Sequence, residues 1–496
     1  MSEPMMNTAL TPAATAPNIT ASNSTVSNST ASNIPPRILV VGGGYVGMYT
    51  ARRILKQLKR GEAIVTVVDP RAYMTYQPFL PEAAAGSIAP RNLVAPLRRV
   101  LKGPNAEVIT GRVVSVDHSR RAARIAPNTG EAYELSFDQL VVAVGSVPRT
   151  LPIPGLAEHG IGFKQVEEAI SLRNHVIGQI DLADSIKDPA LRRKALTFVF
   201  VGGGFAGVEA IAEMEDMARD VSKWYANVEP EDMRWLLVEA ADRILPEVGP
   251  ELGVWTAEEL RDRGIQVKMK TLLNSCVDNH VVLSDGTELD ASTVVWTAGV
   301  KPNPVVARLG VPLGPKGHVD AQANLLVTGF DHVWAAGDCA QVPDLAKGQG
   351  NWCSPSAQHA VRQAKRLAEN IVASLRGKAV QDYVHKHVGS VAGLGIGKGV
   401  ANVYGMKLRG WPAWLMHRAY HVSRVPTFNR KVRVCADWLL AGFFRREAVS
   451  LASFENPREE FTVVAVPVAL PKQAAAAAIE LVNGRAPQKS AEPASV

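Results

Sequence analysis

Gly42-Gly43-Gly44-Tyr45-Val46-Gly47 is a G-x-G-x-x-G run set between a short apolar stretch, Arg37 to Val41, and a segment with helical spacing, Tyr45 to Lys59. The spacing has a mechanical reading. Gly42 permits a tight turn, Gly44 lets a pyrophosphate approach the backbone, and Gly47 and Ala51 let the helix pack closely on its sheet. The phosphates then lie at the helix N-terminus, where free N–H groups and the helix dipole favour anions. Asp69 ends the next strand, about 20 residues on, where a carboxylate accepts from ribose hydroxyls. Strand, glycine turn, helix and acid together predict a dinucleotide-binding unit.

The same grammar restarts at Leu196 to Val201. Gly202-Gly203-Gly204-Phe205-Ala206-Gly207 follows it, then a helix over Ala206 to Ala218, then a strand over Trp235 to Val238 that ends on Glu239. The segment Lys223 to Met233 lengthens the spacing, and Ile211 stands where a small residue is usual. A carboxylate at Glu239 repels a 2′-phosphate and favours NADH over NADPH, with Arg243 close by to oppose it. Strands alternating with helices predict an α/β fold of parallel sheets covered by helices. Asp285-Gly286, between Val281-Val282-Leu283 and a second strand-like run, predicts a hairpin.

The chain has 496 residues, enough for two or three domains, and 47% of them are hydrophobic, enough for a large core. Its net charge of +7 calls for an acidic partner. The cysteines Cys276, Cys339, Cys353 and Cys435 form no close pair, which argues against a disulfide framework or a cysteine zinc site and for buried or idle thiols. No metal site is read: the histidines lack ligand spacing, and His385 with His387 is read as a surface pair. Residues 1–34, rich in Asn, Ser and Thr, are too polar to fold and lack the basic and apolar regions of a signal peptide. The Ala- and Pro-rich stretch 466–496 is read as a second flexible tail. No apolar run reaches the roughly 20 residues that span a bilayer.

Three further segments bear a family likeness. Leu140-Val141-Val142-Ala143-Val144-Gly145-Ser146 looks like the crossover that closes the first FAD segment of two-dinucleotide flavoproteins. Trp296-Thr297-Ala298-Gly299-Val300-Lys301-Pro302 resembles the crossover leaving their NADH domain. Val333-Trp334-Ala335-Ala336-Gly337-Asp338-Cys339-Ala340 resembles the second FAD fingerprint, in which the aspartate holds the ribityl or pyrophosphate region. Within that superfamily the chain is similar to type II NADH:quinone oxidoreductases over roughly residues 36 to 450. Gln77-Pro78-Phe79-Leu80-Pro81-Glu82-Ala83-Ala84-Ala85-Gly86 resembles their Q-P-L-L-Y-E-V-A-x-G segment. Phe205-Ala206-Gly207-Val208-Glu209 resembles their second glycine loop, and Ala357-Gln358-His359-Ala360-Val361-Arg362-Gln363 resembles the A-Q-x-A-x-Q-Q helix beside the quinone. Three positions depart from the pattern, all read as acceptor-side: Arg362 where Gln is usual, Pro81 for a tyrosine, and Met74 in a segment that often carries His.

The resemblance implies FAD held at Gly42, Gly44, Gly47, Asp69, Gln77, Gly145, Gly337 and Asp338. It implies NADH held at Gly202, Gly204, Gly207, Glu239 and Gly299. Glu209 and Gln358 are the expected catalytic residues, and Gln358, His359 and Arg362 the expected substrate contacts. The expected layout is a tail (1–34), a first FAD half (35–150), an inserted NADH domain (151–300), a second FAD half (301–385), a membrane-surface or dimer region (386–465) and a tail (466–496). The fold class is thus α/β, with two Rossmann-like domains, the FAD domain discontinuous, and a C-terminal amphipathic helical region.

The basic charge concentrates late. Lys407, Arg409, Arg418, Arg424, Arg430, Lys431, Arg433, Arg445 and Arg446 face one acid, Asp437, with Trp411, Trp414, Tyr420, Trp438, Phe443 and Phe444 between them. On a helix, Trp411, Trp414, Leu415 and Val422 share a side that Arg418 interrupts. Val432, Cys435, Leu439 and Phe443 make a cleaner stripe. Short basic helices bearing Trp read as an interfacial anchor on an anionic membrane. Four cations at such a surface contribute roughly 4 kcal/mol. Burial of the stripe against the protein or in a homodimer is the competing reading, and no nucleic-acid motif is present. The expected function is FAD-dependent transfer of electrons from NADH to menaquinone or ubiquinone, without proton pumping, by a peripheral protein on the cytoplasmic face of the membrane. A soluble reductase of a small electron-carrier protein and an NADH sensor that signals by dimerisation stay open. A disulfide reductase is disfavoured, since no cysteine precedes Cys276.

Overall fold

Ile38, Leu39 and Val40 are buried on both faces, as a parallel strand covered by helices requires. The computed structural model describes residues 35–451; the expected tails, 1–34 and 466–496, lie outside the described residues, as does 452–465. The first sheet has seven strands, in the order Val333–Ala335, Gln139–Val142, Arg37–Val41, Ile64–Asp69, Ala106–Asp117, Ala122–Pro127 and Tyr133–Ser136. The first five are parallel and the last two add an antiparallel meander. An edge strand contributed by residues 333–335 makes this unit discontinuous in sequence.

The second sheet lies between those pieces. Its five parallel strands run Gly160–Gly162, Thr293–Trp296, Thr197–Val201, Arg234–Val238 and Ile265–Lys268. Both sheets therefore carry the parallel βαβ unit that places a glycine turn at the end of a central strand. The two segments that join the units, Ser146–Pro148 and Val300–Pro302, pair antiparallel with each other. The Asp285-Gly286 turn joins His280–Leu283 to Glu288–Asp290 as the expected hairpin. The long 223–233 insertion folds into short turns pinned by Arg192 on Asp232 at 2.7 Å. Ile211 is fully buried, so the larger side chain is absorbed by the core.

The helix Ala357–Leu375 packs along the helix Tyr45–Gln57. It buries Ala364, Leu367, Ala368 and Ile371, and its partner buries Met48, Ala51 and Ile54. A three-stranded antiparallel sheet follows, Gly389–Gly393, Gly399–Val403 and Met406–Arg409, and then the helices Trp411–Arg424 and Phe428–Phe444. The chain returns to the core after them, where Arg446 binds Asp216 and lies 3.7 Å from Glu213. Among the described residues, no helix is long and apolar enough to cross a membrane.

Candidate active site

Each glycine loop is shaped by close approach of backbone to backbone. A Cβ on Gly47 would meet the Gly42 carbonyl oxygen at 1.8 Å, and one on Gly207 would meet that of Gly202 at 1.9 Å. Gly42 and Gly202 both take positive φ, +102° and +116°, which an L side chain resists. Gly44 and Gly204 face open space within 4 Å, where a pyrophosphate would approach. The two acids brace their loops in the same way. Gly43 N–H donates to Asp69 Oδ2 at 2.7 Å and Arg71 N–H to Asp69 Oδ1 at 2.7 Å. Gly203 N–H donates to Glu239 Oε2, and Ala241 N–H to Glu239 Oε1 at 2.6 Å. A carboxylate oxygen accepts more than one bond, so each acid can hold its loop and still receive a ribose hydroxyl. Burial raises the Asp69 carboxyl above its ordinary value, against the two backbone N–H bonds.

A groove of about 160 Å³ runs beside the first loop, and Gly42, Gly44, Asp69, Gly145 and Asp338 line it. At its far end Ser146 Oγ donates to Asp338 Oδ2 at 2.7 Å, and Lys164 Nζ donates to Ser146 Oγ at 2.8 Å. Gln77 lines the groove and fixes Lys164, donating from Nε2 to its carbonyl at 3.0 Å. Burial lowers the Lys164 ammonium against the pull of Asp338 and Glu168. Lys164 was not found from sequence, because no motif joins it to Ser146; the strand Gly160–Gly162 brings them together. Gly337, with positive φ, donates from N–H to Gln363 Oε1 at 2.7 Å, and a Cβ there would strike Val46. The open glycine turn, the ribose-ready acid and the Lys164–Ser146–Asp338 chain fit a dinucleotide such as FAD.

A larger cavity, about 1130 Å³, opens from the same place. Phe205, Ala206, Glu209, Trp296, Thr297 and Gly299 form one end. Gln358, Val361 and Arg362 line it too, and Met416, Tyr420, His421 and Phe428 carry its lining onto the last two helices. Gln358 reaches the wall but is committed to structure. Its Nε2 donates to the Gly389 carbonyl at 3.1 Å, and its Oε1 lies 3.0 Å from His385 Nε2 and accepts from Val388 N–H. Arg362 donates to the Gln358 carbonyl at 3.0 Å. His359, expected as a substrate contact, is buried with Nδ1 3.0 Å from the Tyr383 hydroxyl and is not among the residues lining either space. It sits one position from Gln358 and so points 100° around the helix. His385, expected at the surface, is partly buried against Gln358. Pro81 lines the cavity, whereas Met74 lies by the first-loop groove and not on the acceptor side.

Asp344, Cys353 and His359 each bring one ligand atom within 4.8 Å of the others, a grouping that histidine spacing did not announce. Lys347 Nζ already pairs with Asp344 at 3.2 Å, and Tyr383 takes one nitrogen of His359. Cys276 and Cys339 are buried, but Cys435 is exposed. Among the described residues, no cysteine lines either space.

The last two helices divide their apolar residues. Val432, Cys435, Leu439 and Phe443 are all exposed, as are Phe428 and Phe444 at 80% each. The earlier stripe splits: Trp411 and Leu415 are exposed, but Trp414 and Val422 turn inward. Arg418 is the reason. Its guanidinium lies over Trp414 at 4.1 Å and Trp438 at 4.7 Å, and it donates to Glu82 Oε2 at 3.1 Å. Arg418 therefore belongs to the interior and does not break a membrane face.

Residues 32–364 match the pyridine nucleotide-disulphide oxidoreductase family. The chain belongs to that family. The external alternative NADH-ubiquinone oxidoreductase of Yarrowia lipolytica mitochondria is 28% identical over 83% of this chain and 80% of its own length. The type II NADH:quinone oxidoreductase Ndh of Mycobacterium tuberculosis is 27% identical over 82% and 88%. NDH2 from Plasmodium falciparum, solved in complex with NADH, shares the fold with a TM-score of 0.75 at 16% identity, over 84% of this chain and 99% of that one. Among the described residues, the cavity of this member of the pyridine nucleotide-disulphide oxidoreductase family is lined without a cysteine.

Proposed function

We propose that the protein oxidises NADH and reduces a membrane quinone, menaquinone or ubiquinone, without pumping protons, from the cytoplasmic surface of an anionic bilayer. One observation carries this reading: a single cavity runs from the second glycine loop to two helices whose outer residues are apolar and basic. FAD held by Gly42, Gly44, Asp69, Gly145 and Asp338 would supply the hydride-accepting, two-electron chemistry between the two substrates.

The chain does the rest. Asp69 and Glu239 fix the two dinucleotides, and the Glu239 carboxylate selects against a 2′-phosphate. Lys164, Ser146 and Asp338 hold polar groups at the inner end of the first groove. Phe205 and Trp296 line the cavity beside the second glycine loop, where a nicotinamide would enter. Gln358 and Arg362 line the cavity, and Met416, Tyr420 and Phe428 offer an apolar route for a quinone ring coming from the membrane. Glu209 faces the cavity, with Oε1 accepting from Gly393 N–H at 2.8 Å, and is the group placed to exchange a proton with the acceptor. The exposed stripe on Phe428–Phe444 suits a lipid surface, and a homodimer that covers it is the outcome that would redirect the reading.

The test is turnover in a defined membrane. FAD-loaded protein is mixed without oxygen with NADH and a menaquinone analogue in phosphatidylglycerol vesicles, and quinol is read by its ultraviolet spectrum. One quinol per NADH is expected. NADH oxidation that needs an acidic iron–sulfur carrier protein, with no quinol formed, would remove the quinone.

A further inference from the structure

His417, on the helix Trp411–Arg424, is 2% exposed and lies behind the cavity wall. Its Nε2 is 3.2 Å from Glu209 Oε1, and its Nδ1 is 3.9 Å from Glu82 Oε1. Among the described residues, neither nitrogen has a well-aligned hydrogen bond, and the imidazole lies between two carboxylates, held mainly by charge.

The surrounding charges decide its protonation. From Leu80–Ala84 comes Glu82, already paired with Arg418 at 3.1 Å and accepting from Trp438 Nε1 at 2.6 Å. From Phe205–Val221 come Glu209 and, one turn on, Glu213. Glu213 has Arg446 at 3.7 Å, and Arg446 also binds Asp216. Burial raises the Glu213 carboxyl to about 7. The strand Gly389–Gly393 passes the ring with glycine alone, a Cβ on Gly393 falling 3.4 Å from the His417 ring. On the same helix, His421 has its ring centroid 4.6 Å from that of His417 and its Nδ1 3.1 Å from the Tyr76 hydroxyl. Arg418 thus answers Glu82, and Arg446 answers Glu213 and Asp216. Among the described residues, Glu209 is left with His417, and a buried carboxylate without a cation is costly. Burial alone would push His417 down, but the Glu209 contact and the charges of Glu209, Glu82 and Glu213 outweigh it and raise it above its ordinary value. His421 goes the other way, pushed well below by burial and by the His417 charge.

The reaction needs a second source of protons. NADH + H⁺ + quinone gives NAD⁺ + quinol: hydride carries two electrons and one proton, and the second proton comes from elsewhere. We propose that His417 stores this second proton and passes it through Glu209 to the quinone oxygen, with Glu82 stabilising the charged ring. The N–H bond at His417 Nε2 breaks as an O–H bond forms on Glu209 Oε1. That bond breaks in turn as the quinol O–H forms, and solvent restores the proton to His417 between turnovers. His417 touches no substrate; it is a positioning residue that acts through Glu209. The proposal rests on the quinone reading and on Glu209 facing the acceptor.

The test uses the holoenzyme in vesicles, wild type and His417→Gln, with a menaquinone analogue and with ferricyanide, which takes electrons and no proton. The quinone-to-ferricyanide turnover ratio is expected to fall on the order of 100-fold in the variant, the scale of a lost general acid. Wild-type quinone turnover is expected to decline as pH climbs through the raised His417 value, because the group is charged below it, and His417→Gln should lack that limb. In a single turnover with a pH-indicator dye, wild-type quinol should form before solvent protons are taken up, and the two should coincide in the variant. Parallel loss with both acceptors, or an unmoved pH limb, would overturn the proposal. If His417→Gln does not fold, Glu82→Gln carries the test. It keeps an acceptor for Trp438 and removes the charge, so the limb should move to lower pH, and a limb that stays overturns the proposal. Wild type that reduces ferricyanide but no quinone removes the functional reading itself, whereas quinone turnover equal in wild type and His417→Gln removes only the stored proton.

Discussion

Phe443 and Phe444 end the last helix at 76% and 80% exposure, and replacing both with Ser tests what that surface is for. Fully burying a Phe side chain contributes about 1.5–3 kcal/mol. Scaled by the exposed fractions, each residue has about 1–2.5 kcal/mol still to gain from a lipid interior, or about 2–4.5 kcal/mol for the pair. At roughly 1.4 kcal/mol per tenfold, vesicle affinity should fall by about 30- to 1600-fold. The fold should not notice, since exposed substitutions of this kind usually stay within about 0.5 kcal/mol. The assay is sedimentation with sucrose-loaded phosphatidylglycerol/phosphatidylcholine vesicles at low salt, with flavin content and near-ultraviolet circular dichroism as folding controls. Added salt should weaken the basic contribution, about 1 kcal/mol per cation near the surface, and leave the aromatic difference between the proteins intact. Equal partitioning of the two proteins would refute the anchoring role. If the double variant also turned a dimer into a monomer, the stripe would be an interface between copies.

Other consequences are more local. Gly207→Ala puts a Cβ 2.5 Å from Thr297 Oγ1 as well as against Gly202, so NADH affinity should drop more than tenfold by calorimetry while the flavin-to-protein ratio is kept. Glu239→Gln retains an acceptor for Gly203 N–H but removes the charge that repels a 2′-phosphate, and the NADPH-to-NADH ratio of kcat/KM should rise about tenfold, the scale of one charge-assisted contact; an unchanged ratio would show that another group selects. Arg376, 2.7 Å from Glu62, holds that carboxyl down at about 2, together with the Lys59 backbone N–H. A lowered carboxyl stabilises the fold above its ordinary range and loses that contribution as pH falls. The Tm gap between wild type and Arg376→Gln, small because solvent screens an exposed pair, should therefore be present at neutral pH and close between about pH 5 and 2.

The glycine loops were legible in sequence because their geometry is local: turn, helix start and strand-end acid lie within one βαβ unit, and the chain order of the fingerprints announced the discontinuous first sheet. The residues that were missed depend on chain segments far apart. Lys164 reaches Ser146 only because an edge strand of the second sheet places it there. Glu82 sat in plain view in the quoted Gln77–Gly86 segment, yet its partners Arg418 and Trp438 come from residues more than 300 positions away. Arg418 reads from sequence as a break in the apolar side of a membrane helix, and His417 carries no signal there at all, since helical spacing separates two faces but does not say which one meets protein. His359 failed for a similar reason: adjacency to Gln358 in a motif is not adjacency on a helix.

The central claim is that one cavity joins NADH to a membrane quinone through bound FAD. Anaerobic stopped-flow absorbance of the flavin tests it most directly, mixing the vesicle-bound protein first with NADH or NADPH and then with a menaquinone analogue. The account predicts fast bleaching by NADH, much slower bleaching by NADPH, and fast recovery of colour on meeting the quinone. Bleaching by NADH with no recovery beyond the rate seen without quinone would contradict it.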